Sequence, residues 1–262
     1  MISFARGAIA IPARLESMRL PNKLLLARTG RPLLAHVVER CLAAAARSGG
    51  QLTEVFVACD DERLCRAAEA AGVRAALTGR HHQCGTTRIA EAVGRLPHAP
   101  DFVVNVQGDE PELAPEAILA VVAALAAGTA PMATLAVAMP AGTAAEKADP
   151  NVVKVALAAD GHALCFSRAP IPYDRQLEAA GGSPWHHHLG IYAYRTDFLQ
   201  AFAALPPTPL EQREGLEQLR ALEHGHRLRV AEVPAAWAAK GIDTAEDYEA
   251  FVRRTLARSA AA

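Results

Sequence analysis

The segment Phe102–Pro111, FVVNVQGDEP, carries the clearest chemical signal in the chain. Phe102, Val103, Val104 and Val106 form a short apolar, β-branched run, the pattern of a strand buried on both faces. Polarity then switches at Gln107, Gly108, Asp109 and Glu110. Gly108 permits a turn and a close approach of a ligand to the backbone. The two carboxylates leave the C-terminal end of the strand, where open α/β sheets bind ligands. A carboxylate there suits Mg²⁺, which takes a few protein oxygens and leaves its other positions to phosphate and water. An acidic turn after a core strand is the bland reading of the same residues.

A second signal is basic. Arg14, Arg19 and Lys23 follow the first predicted strand, Ala8–Ile11, with Pro21 and Asn22 as turn residues. Three cations in that position suit a polyphosphate, since Arg grips phosphate oxygens bidentately and Lys is a mobile point charge. Taken alone, the triplet fits a solvated basic loop better. Neither GxxxxGK[ST] nor GxGxxG occurs, which excludes a P-loop and a dinucleotide fingerprint. The loop 79–88, GRHHQCGTTR, leads into a predicted helix at 89–96. Its backbone N–H groups can meet a base edge or an anion, and Thr86 or Thr87 as a plain N-cap is the alternative. His81-His82 reads as loop histidines, because adjacent histidines rarely share one ion and no carboxylate follows at ligand spacing. In His186-His187-His188 only His186 and His188 share a face of an extended chain. Asp243 or Thr244 reads as the N-cap of the last helix.

The elements that must carry these residues alternate as βαβ. Helices are expected at 32–48, 62–71, 115–127, 197–205, 209–223 and 245–256, and strands at 54–58, 73–77, 132–139, 189–194 and 228–233. A hairpin spans 152–167. Asp60 and Asp61 are expected to cap the helix at 62, Leu42 to lie in the apolar stripe of the first helix, 141–150 to be a loop and 176–184 to be flexible. The alternation implies parallel pairing with right-handed crossovers.

The chain has 262 residues, 51% of them hydrophobic, enough for a full core. Lys and Arg (27) nearly balance Asp and Glu (28), giving a formal charge of -1. That argues against a nucleic-acid binder relying on bulk positive charge, though not against a local anion site. Five scattered cysteines without a CxxC pair fit a reducing cytosol. No signal peptide or bilayer-spanning apolar stretch is read, so the expectation is a cytoplasmic protein without membrane partners.

Over nearly its whole length the chain resembles the 3-deoxy-manno-octulosonate (Kdo) cytidylyltransferases. The resemblance rests on IPARLESMRLPNK at 11–23, NVQGDEP at 105–111, NVVKVALAADGHALCFSRAPIPYDR at 151–175, HLGIYAYR at 188–195, PLEQREGLEQLRALEHG at 209–225 and GIDTAEDYEAF at 241–251. It implies a nucleotide-diphospho-sugar transferase-like α/β fold with a mixed, mostly parallel sheet flanked by helices and a small β-rich dimerisation and sugar-binding subdomain. The nucleotide-binding part would be about 1–140 plus 226–262, the sugar part about 141–225. It further implies CTP and an acidic sugar as substrates, Mg²⁺ as cofactor, a homodimer, and lipopolysaccharide biosynthesis as the setting.

Residue by residue, the resemblance puts Ala13, Arg14, Arg19 and Lys23 on the triphosphate, Cys84, Gly85, Thr86 and Arg88 on the cytosine side, and Gln107 on both nucleotide and sugar. Asp109 and Asp243 match the metal-binding aspartates; with Arg14 and Lys23 they form the catalytic set. Arg168, His188, Tyr192, Glu217 and Gln218 match positions that hold the sugar acid. Cys84 and Thr87 depart from the usual SGT-acidic-Arg pattern, and Met18 to Leu25 from TRLPGKPL. The Thr87 departure is compatible with a cytidylyltransferase for an amino-substituted Kdo or another acidic sugar of the sialic-acid type. A non-catalytic nucleotide-sugar binding protein is the alternative of another class.

Overall fold

A computed structural model describes residues 6–17, 19–140, 143–173, 175 and 184–261. Two compact units emerge: one holds the described residues up to Ile118 and from Ala239 onward, the other Leu119–Ala238.

The first unit is built on four parallel strands: β1 (Gly7–Ala13), β2 (Leu52–Cys59), β3 (Arg74–Leu77) and β4 (Phe102–Asn105), in the order β3-β2-β1-β4. Ile9 faces Val55 on one side and Val104 on the other, and Phe56 faces Arg74. Phe102, Val103 and Val104 are fully buried. Helices α1 (Leu33–Arg47), α2 (Glu62–Ala70) and α3 (Gly85–Gly94) make the crossovers. The strand order reverses between β1 and β4, so the loops leaving their C-terminal ends open a crevice at the switch point. The predicted stripe of α1 is buried at Leu33, Leu34, Val37 and Val38, but Leu42 is exposed; Cys41 and Ala44 complete the stripe in its place. Of the Asp60-Asp61 pair, Asp61 alone caps α2, accepting from Arg63 N. α9 (Ala245–Ala261) closes this unit, five residues longer than the reading of 245–256.

α4 (Pro115–Ala126) leads to the mixed sheet of the second unit. Here β5 (Met132–Met139) lies between β8 (Trp185–Arg195), antiparallel, and β9 (Leu228–Glu232), parallel. β6 (Lys154–Leu157) and β7 (Ala163–Ser167) form the expected hairpin, and β6 also pairs with β8. β8 begins four residues before the predicted 189, so it absorbs the three histidines. The stretch 141–150 contains a short helix, α5 (Ala144–Ala148); the stretch read as flexible falls at 176–183 outside the described residues. α6 (Thr196–Ala204) follows β8.

The single helix expected at 209–223 is two helices, α7 (Pro209–Glu214) and α8 (Gln218–Glu223). Gly215 ends α7 at φ 62°, ψ 40°. That left-handed turn satisfies the helix end and redirects the chain so that Gln218 and Leu219 go inward while Leu210 stays exposed. Among the described residues no helix is long and apolar enough to cross a membrane.

A Cβ at Gly215 would have no neighbour within 4 Å, so the cost of a side chain there is conformational only. Gly215→Ala should lower the unfolding free energy in a urea titration by about 1–2 kcal/mol, and Gly215→Asn by less, because Asn tolerates the left-handed region.

Candidate active site

The loop after β1 folds back over the sheet. Leu15 N donates to Asp60 Oδ1 at 2.9 Å, which fixes its start. Asn22 turns the chain at φ 54°, and buried Leu24 anchors its end. Along this loop Arg14 and Arg19 are exposed, whereas the Lys23 side chain is 13% exposed. The loop after β4 comes alongside because Gly108 packs against β1: a Cβ there would lie 2.9 Å from the Pro12 carbonyl oxygen. Ile242 N then donates to the Asp109 carbonyl at 2.9 Å and ties in the segment before α9.

The outcome is a convergence on one ammonium. Lys23 Nζ donates to Asp109 Oδ2 (2.6 Å), to the Ile242 carbonyl (2.8 Å) and to Asp243 Oδ1 (3.1 Å). Arg19 meets the other oxygen of Asp243 at 3.0 Å. Asp243 is free for this because it does not cap α9. Thr244 does: Asp247 N donates to Thr244 Oγ1 (3.2 Å), and Thr244 N donates back to Asp247 Oδ2 (3.1 Å), a reciprocal capping box. Glu110, next to Asp109, does not line the cavity these residues surround. Burial, with the charge of Asp109 added, pushes its carboxyl up to about 8.

That cavity, ≈ 310 Å³, lies within the first unit. From the β1 side Ala13, Arg14, Arg19 and Lys23 line it; from the β4 side Gln107 and Asp109; from α9, Asp243. From the loop into α3 come Cys84, Gly85 and Arg88. Helix α3 starts at Gly85 with Cys84 at the N-cap position, so neither Thr86 nor Thr87 is the cap. Thr86 is buried and accepts from Asn105 Nδ2 at 3.4 Å; it is not on the cavity wall.

Arg88 is 3% exposed, and its guanidinium donates to Thr78 Oγ1 (2.8 Å), the Gly79 carbonyl (3.3 Å) and Asp60 Oδ2 (3.1 Å). It therefore works as a strut beneath the cavity. Glu16, Ser17 and Gln83, to which the sequence reading gives no role, also line the cavity, as does His82, read there as a loop histidine. Glu16 and Ser17 lie between the flagged cations, and that position was the available signal.

The remaining predicted residues sit in the second unit. Buried His188 on β8 lies 2.9 Å from Thr134 Oγ1. The hydroxyl's one proton is taken by the Ile191 carbonyl at 2.7 Å, so His188 Nε2–H donates and Nδ1 is left as an acceptor. Burial, with His187 adding, holds the ring neutral, its pKa lowered to about 3. Tyr192 is its neighbour, ring centroids 5.5 Å apart. Arg168 gives its guanidinium to the carbonyls of Glu214 (2.7 Å), Pro150 (2.8 Å) and Gly215 (3.5 Å). Beneath it the fully buried ammonium of Lys154 donates to the Arg168 and Asp149 carbonyls. Glu217 and Gln218 open α8; Gln218 is 4% exposed and its Nε2 is buried with no hydrogen-bond partner among the described residues.

Asp109, Asp243 and the Ile242 carbonyl present only oxygen, a donor set for a hard cation, and they already close around a positive charge, the Lys23 ammonium. The residues present therefore fit Mg²⁺.

A cytidylyltransferase family model matches residues 8–228. The chain is 48% identical over 253 residues to the 3-deoxy-manno-octulosonate cytidylyltransferase of Tolumonas auensis, covering 95% of this chain and 96% of that one. It is 50% identical over 246 residues to the enzyme of the same name from an Anaeromyxobacter species, covering 93% and 94%. A solved CMP:2-keto-3-deoxy-manno-octonic acid synthetase complexed with CTP superposes with a TM-score of 0.86 at 38% identity, covering 97% of this chain and 99% of that one.

The capping geometry separates the two candidates before α9. In chemical denaturation Thr244→Ala should lose about 1 kcal/mol of stability, the scale of an N-cap. Asp243→Asn should stay within about 0.5 kcal/mol of the parent, as surface changes do. Equal losses would return Asp243 to a capping role.

Proposed function

We propose a CMP transfer for this chain, which belongs to the 3-deoxy-manno-octulosonate cytidylyltransferase family: the anomeric hydroxyl of Kdo attacks the α-phosphorus of CTP, giving CMP-Kdo and pyrophosphate. The observation that carries the reading is the meeting of Asp109 and Asp243, 134 positions apart in the chain, on one cation beside a basic cavity. By the same family reading the enzyme is a cytoplasmic homodimer that feeds lipopolysaccharide biosynthesis.

Transfers of this kind are mostly positioning and charge stabilisation. Arg14 and Arg19, exposed at the cavity rim, grip the triphosphate oxygens bidentately. Lys23 leaves the aspartates for the β- and γ-phosphates and stays with the departing pyrophosphate. Asp109 and Asp243, with the Ile242 carbonyl beside them, would hold Mg²⁺, which when bound neutralises phosphate charge and lowers the pKa of a nearby hydroxyl.

Cys84 and Gly85 at the start of α3 meet the cytosine edge, and Arg88 holds that turn in place from below. Gln107 serves nucleotide and sugar. His188 Nδ1 accepts a sugar hydroxyl, the unpartnered Gln218 amide donates to one, and Tyr192 and Glu217 read the others. Arg168 pairs with the sugar carboxylate through its remaining donors. The oxygen–phosphorus bond forms as the bond to the pyrophosphate oxygen breaks, so no covalent enzyme intermediate is required.

A pyrophosphate-release assay crossing CTP against the other nucleotides, and Kdo against amino-Kdo and sialic acid, tests the reading. CTP with Kdo should turn over fastest; binding without pyrophosphate release would point to a silent nucleotide-sugar binder and overturn it. Asp243→Asn should cut kcat by about 10²–10³-fold, the loss typical of one electrostatic partner of a transition state. Wild-type turnover in that variant would reject its role as a metal ligand.

Lys23→Met should tighten Mn²⁺ binding in the absence of nucleotide, read by electron paramagnetic resonance. The expected gain is roughly tenfold, the scale of one close charge pair. Unchanged or weaker binding would show that the ammonium does not occupy the cation's place.

A further inference from the structure

A second group of ligating side chains stands beside the nucleotide cavity. His81, His82 and Glu91 each bring one ligand atom within 4.8 Å of the others, the one such group of three among the described residues. Its histidines look unpromising in the sequence for two reasons, and the geometry removes both. Residues 80 and 81 form a turn, so the side chains do not alternate as on a strand, and the two imidazole rings stack with centroids 4.3 Å apart. The missing carboxylate arrives from α3, where Glu91 meets His82 Nε2.

The group is held in place from outside. Gly79 N donates to both Glu91 oxygens at 3.3 Å, and Arg95 pairs with the same carboxylate. Burial works against that carboxylate, but the His82 ring, the Gly79 amide and Arg95 outweigh it and hold the group below the usual range, ionised. Thr87 Oγ1 lies 3.1 Å from His82 Nδ1, which fixes the ring with Nε2 turned to Glu91. The His81 ring covers the backbone at Gly79, where a Cβ would lie 2.3 Å from the ring. Hydrogen-bonded outer partners of this sort orient the imidazoles and carboxylates of metal sites.

We propose that His81, His82 and Glu91 form a binding site for a borderline divalent cation of the zinc class, distinct from the Asp109–Asp243 pair. Two imidazole nitrogens and one carboxylate oxygen prefer Zn²⁺ or Co²⁺ to Mg²⁺, and three protein ligands leave a position for water. His81 is exposed, so the ion enters from solvent. An ion there locks the turn at 79–84 to α3, and His82 carries that constraint to the cavity wall.

The test is a Co²⁺ titration of the chelator-treated full-length protein with Mg²⁺ in excess, followed by visible d–d absorption. One Co²⁺ per chain should bind, and Zn²⁺ should displace it. His81→Ala and Glu91→Gln should each raise its dissociation constant at least tenfold, while Asp243→Asn should leave it unchanged. His81 is on the surface, so His81→Ala decides alone if the Glu91 variant fails to fold. Retained affinity in His81→Ala, loss of the signal in Asp243→Asn, a thiolate-to-cobalt band in the near ultraviolet, or no Co²⁺ binding would each overturn the proposal.

Discussion

Two ionised carboxylates a few ångströms apart repel each other unless a positive charge stands between them or one takes up a proton. At a separation near 4 Å and an effective dielectric of about 20, a unit pair interacts by about 4 kcal/mol, repulsive for like signs. Asp109 and Asp243 are forced into this relation by the backbone, since Gly108 seats the β4 loop against Pro12 and the Ile242 amide binds the Asp109 carbonyl. Without a ligand the repulsion is relieved by Lys23, whose ammonium touches both. Arg19 on the other oxygen of Asp243 supplies the second positive charge, so two cations face two carboxylates. The compact ammonium on its flexible stem reaches three oxygens from three directions, an arrangement that a planar arginine fork does not match.

Around this centre the arginines divide by what already holds them. Arg14 and Arg19 are exposed at the cavity rim, Arg19 in a partly exposed ion pair with Asp243. Arg88, although on the cavity wall, is buried and committed to Asp60, Thr78 and Gly79. Asp60 is the hub of that arrangement: one oxygen holds Leu15 N at the start of the loop after β1, the other holds Arg88 under the turn into α3. A single carboxylate at the end of β2 therefore ties together the two loops that line the cavity from these sides. Removing it would leave a buried guanidinium short of its countercharge, costly in a way that losing an exposed ion pair is not.

Much of this was legible in the sequence because it is written in local pattern. The apolar runs of β1, β2 and β4 and the abrupt turn to QGD mark strands that end in a site, and the ordered motifs carried the family. What was not legible depends on choices between equally good local options. Asp243 and Thr244 are both fair N-caps; the residue that decides is Asp247, which completes a Thr-x-x-Asp box and frees Asp243. Gly215 reads as one weak position inside a long amphipathic helix, and only its left-handed backbone reveals two helices. His81-His82 reads as a pair of loop histidines with no carboxylate at ligand spacing; the turn that stacks the two rings and the approach of Glu91 from α3 are tertiary facts. Arg88 has the residue type of a ligand and the environment of a strut, and burial is a tertiary fact.

The second unit presents the reverse economy of polar groups. Thr134 accepts from His188 while donating to a carbonyl, so a neutral ring is left with an acceptor, Nδ1, in a buried setting. Gln218 has a buried amide nitrogen without a partner among the described residues. An unsatisfied buried donor costs about 1–3 kcal/mol, and folds rarely retain that cost without a reason. The break at Gly215 is what turns Gln218 inward; in an unbroken helix from 209 to 223 the residues after 215 would face different directions. The chain therefore uses one strained-for-Ala backbone position to direct a polar donor into an apolar setting.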